Sequence, residues 1–147
     1  MKKLANILFG VFLAIEVILM VSMNYLEKLA YKKAGVNHHI YFKKVEYTRK
    51  YLTPENIKLI TIIVIVLIVL YLIITVKAFR NSRKTLAFAS LLAIVWSGVL
   101  IYALYSTSIS EKLIYPYLIL ALIVCIAFST INIIINIIIN KKYLHKD

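Results

Sequence analysis

Acidic residues are scarce in this chain: five Glu and one Asp among 147 residues, against 18 Lys and Arg. Gln is absent, the one Asp is Asp147, and there is one Cys, Cys125, and one Trp, Trp96. Gly and Pro number three and two. Each shortage excludes something. A lone cysteine rules out a disulfide, a CxxC site or a thiolate metal cluster within the chain. A single Asp at position 147 rules out paired-aspartate chemistry inside a membrane. So few glycines leave no Gly-rich phosphate loop, and there is no Ser-His-Asp set for nucleophilic catalysis. No metal site or cofactor is expected.

What is abundant is apolar: 63% of the residues are hydrophobic, where soluble domains run at about 45–50%. Four runs are long enough to cross a bilayer as helices, which takes about 20 residues at a 1.5 Å rise. They cover about 4–24, 57–76, 86–106 and 116–139. The expected fold is all-α: a polytopic membrane protein of one domain, 1–147, with four transmembrane helices in an antiparallel bundle and a 32-residue helical first loop, 25–56. The net charge of +12 falls in loops and tails. That pattern points to anionic lipid headgroups rather than to nucleic acid. Ile, Lys, Asn and Tyr, which AT-rich codons favour, are plentiful, so a prokaryotic cell membrane is the expected setting.

The first run, Leu4–Asn24, holds Glu16, the one acidic or basic residue well inside a span. A charged carboxylate at mid-depth costs roughly 3 kcal/mol on insertion scales, so it should face protein, and hydrocarbon favours its protonated form. Two readings stay open: a proton-linked site in a transporter or substrate pocket, and a packing hydrogen bond to a neighbouring helix. Lys2-Lys3 before this run resembles the start of a signal peptide. However, the run is long, and Val21-Ser22-Met23-Asn24 offers no small-residue cleavage site, so an uncleaved first helix is expected.

The connection 25–56 should continue as helix from Tyr25 to Ala34, stop at Gly35, turn through Val36-Asn37-His38-His39 and resume from Ile40 to Leu52. Tyr41, Val45 and either Tyr47 or Thr48 should share a face of that second piece. This helix either lies in the interface or packs as a solvated hairpin on the mouth of the bundle. Thr53-Pro54-Glu55 marks a helix start: a capping hydroxyl, a proline for the first turn, an acid at the positive dipole end.

The second span is nearly all Ile, Val and Leu and should face lipid. The third carries small residues, including Ala87, Ala89, Ser90, Ala93, Ser97 and Gly98, which suit close helix packing. It should sit inside the bundle with Trp96 turned inward. In the fourth span Cys125, Ser129, Asn132, Asn136 and Asn140 recur at spacings of 4, 3, 4 and 4, which places them on one helical face. That stripe reads either as interhelical glue or as the wall of a polar pathway. Mid-depth falls near Glu16, Trp96-Ser97 and Ser129, so Glu16, Ser97 and Ser129 are expected to share a buried site.

Four spans put both termini on one side. The Lys and Arg residues divide evenly between the two sides, but they crowd the short loop after the second span. Termini on the cytoplasmic side are therefore expected.

Three function classes follow. One is a non-enzymatic accessory, assembly or immunity-type subunit with a membrane-protein partner or a second copy. One is a small proton-coupled transporter using Glu16. One is an interfacial enzyme acting on lipid, with His38 and His39 as its loop candidates. For the transporter there is a resemblance: Ala14-Ile15-Glu16-Val17 and Trp96-Ser97-Gly98 look like features of the small multidrug resistance family. These are dimeric, four-helix, proton-coupled exporters. The resemblance implies that Glu16 binds protons or a cationic substrate and that Trp96 lines the site. The long first connection and the lack of further glycines in the third span depart from that family.

Overall fold

The computed structural model describes residues 2–144, with side chains described for residues 6–139. The side chain of Asn140 and the terminal lysines at positions 2, 3, 141, 142 and 146 therefore lie outside the described side chains. Among the described residues six helices follow one another: α1 (Lys2–Lys32), α2 (Ala34–Tyr51), α3 (Pro54–Arg80), α4 (Lys84–Tyr105), α5 (Thr107–Ser110) and α6 (Tyr115–Leu144). Four of them are long and apolar enough to span a membrane: α1, α3, α4 and α6. The chain is a multi-pass, all-helical membrane protein.

The spans form an antiparallel bundle with α4 and α6 in the middle, α1 against α6 and α3 against α4. Burial follows composition. The apolar windows of α4 and α6 are each 44% buried, that of α3 17% and that of α1 only 6%. Ala87, Ala89, Ala93, Ser90 and Ser97 on α4 are 0% exposed, because small side chains let neighbouring backbones close in. The Ile- and Val-rich α3 turns most of its surface outward and buries only Val64, Tyr71, Thr75 and Ala78. Two apolar clusters result. One, around Leu100, Leu104, Ile119 and Leu122, lies toward the 25–56 connection. The other, around Tyr71, Leu86, Ala89 and Ile133, lies toward the termini.

Local signals set the ends of α3. The Thr53 hydroxyl caps its N-terminus, accepting from the Asn56 amide at 3.3 Å, with Pro54 in the first turn. At the other end Ser82 adopts a left-handed φ of 53°. The Ser82 and Arg83 amides donate back to the Phe79 and Ala78 carbonyls, which closes a Schellman turn and reverses the chain into α4.

The 25–56 connection corrects one expectation. The helix runs past the membrane to Lys32, breaks at Lys33 in an extended conformation, and α2 then carries Gly35, Asn37, His38 and His39 in helix. The break precedes the glycine, and the expected turn at 36–39 does not form. Packing explains the shift. Ile40 of α2 and Ala30 of α1 are both buried, and α1 and α2 pack against each other on either side of the break. The helix also decides between two alternatives for the face of α2. Thr48 shares a side with Tyr41 and Val45, within about 60°, and is half-buried at its edge, while Tyr47 turns toward the bundle.

Polar contacts then seat α2 on the bundle. The Tyr47 ring meets Tyr117 edge-on at 6.2 Å. Lys44 Nζ donates to the Glu111 carbonyl at 2.7 Å; next to it in the chain, Lys112 pairs with Glu27 of α1 at 3.1 Å and ties α1 to the segment before α6.

Candidate functional site

α1 reaches the bundle along one stripe. Phe9, Phe12, Glu16 and Met20 recur at helical spacing, and each meets the protein. Phe12 packs on Phe128 of α6 with ring centroids 5.9 Å apart, and Phe9 and Met20 lean on the two apolar clusters. Glu16 sits in the middle of this stripe and is 1% exposed. Its neighbours Ile15 and Val17 point outward.

Both carboxyl oxygens of Glu16 are engaged. The Trp96 indole Nε1–H of α4 donates to Oε2 at 2.8 Å. The Ser129 hydroxyl of α6 lies 2.7 Å from Oε1. One carboxyl group thus ties three helices together at mid-depth. An indole N–H can only donate, whereas a hydroxyl both donates and accepts. Ser129 can therefore donate to a carboxylate or accept from a carboxylic acid, and the arrangement holds either protonation state without moving a helix. Among the described residues Glu16 forms no ion pair.

Ser97 does not bond to Glu16. It is fully buried, but its hydroxyl is donated to the Ala93 carbonyl one turn back at 2.8 Å. Asn132 and Asn136 are 2% and 1% exposed and continue the α6 face below Ser129. The Asn136 amide donates to both the backbone and side-chain oxygens of Asn132, each at 2.9 Å. Cys125 lies one turn above Ser129 and is fully buried.

Other buried polar joints were not foreseen as pairs. Thr75 donates to Ser90 at 2.7 Å, linking α3 to α4. Tyr71 and Thr130 meet through their hydroxyls at 2.6 Å, linking α3 to α6. Tyr71 and Thr75 stand one turn apart in an otherwise aliphatic span, and that spacing was the available signal. Thr130 gave none, as it lies beside the Cys125–Asn136 stripe rather than on it.

His38 and His39 are exposed on α2, about 100° apart around the helix. Among the described residues no group of three His, Cys, Asp or Glu side chains is placed to hold a metal ion. Also on α2, the hydrogen bond and charge of Glu46 hold the Lys43 ammonium above its ordinary range, and Lys43 holds the Glu46 carboxyl below its own. Burial lowers Lys44, against the opposing pull of the Glu111 charge.

No protein-family model, curated protein or solved structure matches this chain. The likeness of Ala14–Val17 and Trp96–Gly98 to the small multidrug resistance family rests on those short segments.

Proposed function

We propose that this chain is a non-enzymatic subunit of a larger membrane assembly, in the accessory, assembly or immunity class. It would sit in the cell membrane of a prokaryote with both termini on the cytoplasmic side. The supporting observation is the setting of α1. It joins the bundle along one stripe centred on Glu16, and nearly all the rest of its apolar surface faces outward. Gly10 and Ala14 lie on that outward surface, one turn apart, and a side chain added at Gly10 would meet nothing within 4 Å. Small residues at that spacing let a neighbouring helix approach closely. Several buried polar groups, by contrast, join the chain's own helices: Glu16 to Trp96 and Ser129, and Thr75 to Ser90.

The test is Gly10→Leu. This substitution fills open space, so thermal melting of the isolated protein should hold while a stoichiometric complex, seen by native mass spectrometry of gently solubilised membranes, falls apart. A wild-type protein that runs alone, or a complex that survives the substitution, would argue against the proposal.

The transporter is the second reading, favoured by a mid-depth carboxyl beside an indole. It predicts proton release from purified protein on adding a lipophilic cation such as tetraphenylphosphonium, and loss of that release in Glu16→Gln. The subunit reading predicts no release from either protein.

A further inference from the structure

The depth of α2 follows from the helices it touches. Ser129 marks mid-depth on α6, and Tyr117 stands twelve residues above it, or about 18 Å. Tyr47 of α2 packs on that Tyr117 ring. Lys32, where α1 ends, is sixteen residues above Glu16, or about 24 Å. At the other end of α2 the Tyr51 carbonyl accepts from the Asn56 side chain. Asn56 is five residues above Thr61, which meets the Tyr105 hydroxyl at 3.3 Å. Tyr105 is nine residues above Trp96, so Asn56 stands at about 21 Å. The start, middle and end of α2 therefore lie within a few ångströms of one level. The hydrocarbon ends about 15 Å from the midplane and the headgroup layer about 20–22 Å from it, so the middle and end of α2 run along the headgroups and its start lies just outside them.

The outward surface of α2 is divided. Tyr41, Phe42 and Val45 are 55%, 68% and 51% exposed and form one flank. Arg49 falls within the same sector, and Lys32 and Tyr31 border it from the end of α1 across an open groove. The other flank carries His39, Glu46 and Lys50, with Glu46 bound to Lys43 at 2.7 Å. Among the described residues Lys28, Lys32, Lys33, Arg49 and Lys58 make no ion pair. Exposed aromatics beside unpaired cations at this depth match the chemistry of an anionic lipid surface. A second copy docking by the same flank would bring like charges together.

We propose that α2 is an interfacial helix whose Tyr41–Phe42–Val45 flank, with Lys32 and Arg49, seats in the headgroup layer of an anionic phospholipid leaflet. This surface is separate from the outward face of α1, and the two can fail independently.

The test places a nitroxide label at Phe42→Cys, and in a second protein at His39→Cys, each in full-length Cys125→Ala protein. The proteins are reconstituted in phosphatidylcholine vesicles with or without phosphatidylglycerol. A water-soluble nickel chelate should collide with the label at position 42 several-fold less often than with the label at 39. Phosphatidylglycerol should widen that gap, and Lys32→Glu with Arg49→Glu should cancel the widening. Equal collision at both positions in phosphatidylglycerol vesicles overturns the proposal. So does spin–spin broadening at position 42, which would show a second copy on that flank. If Cys125→Ala does not fold, an environment-sensitive fluorophore on the same two positions in Cys125→Ser protein gives the same comparison.

Discussion

Ser129 on the last helix and Glu16 on the first, 113 residues apart in sequence, meet at 2.7 Å with Glu16 1% exposed. Trp96 closes the other side of the same carboxyl at 2.8 Å. An α1 that is otherwise almost wholly outward-facing is thereby fixed in depth and rotation.

Removing the acceptor should cost more than altering it. Glu16→Gln keeps a carbonyl for the indole and an amide for Ser129, so it should lower stability by about 0.6 kcal/mol per weakened bond, the average for such contacts in membranes. Glu16→Leu strands the Trp96 N–H in hydrocarbon and should cost about 1–3 kcal/mol. Thermal melting in detergent ranks the variants. A Leu variant as stable as wild type would mean that the joint contributes nothing.

Trp96 is the one tryptophan, so its fluorescence reports on the joint directly. Wild-type emission should change with pH as Glu16 titrates beside the indole. The change should vanish in Glu16→Gln and persist in Ser97→Ala, because Ser97 bonds Ala93 instead. Emission that responds to pH in all three proteins would separate the signal from Glu16.

Thr53→Ala should destabilise the start of α3 by about 1 kcal/mol, since its hydroxyl is the side-chain acceptor for the Asn56 amide. Thr53→Ser should restore most of the loss. Hydrogen exchange at Asn56 and Ile57 is the local measurement.

Ser82 occupies the left-handed position that closes α3, where a side chain is strained by about 1 kcal/mol or more. Ser82→Gly should therefore raise the melting temperature, partly offset by the greater freedom of glycine in the unfolded chain. A lower melting temperature would show that the serine side chain stabilises the turn in some other way.

The Lys43–Glu46 pair gives a pH dependence whose sign can be worked out. The Glu46 carboxyl is held low, so its contribution to α2 is present above the ordinary carboxylate range and lost as pH falls through the depressed value. The Lys43 ammonium is held high, so its contribution is present below the ordinary lysine range and lost as pH rises through the raised value. The pair therefore acts across the neutral window and fails at both ends. NMR titration of Glu46 should show its pKa returning upward in Lys43→Ala.

The sequence by itself determined the number of spans, the α3 start and the common face of the α6 polar residues. Each depends on near-neighbour physics: hydrocarbon thickness, an unsatisfied first turn, a period of 3.6 residues. The same local rules placed Glu16 at mid-depth and required it to find partners. Only the tertiary structure decided which partners. Trp96 and Ser97 stand at nearly the same depth but about 100° apart, so the rotation of α4, set by small residues packing along its whole length, brings the indole to Glu16 and turns the hydroxyl back on its own helix. The break at Lys33 was decided the same way. Gly35 is the better helix stop by local preference, but burying Ile40 and Ala30 where α2 crosses α1 puts the break two residues earlier, as tertiary packing outweighs propensity.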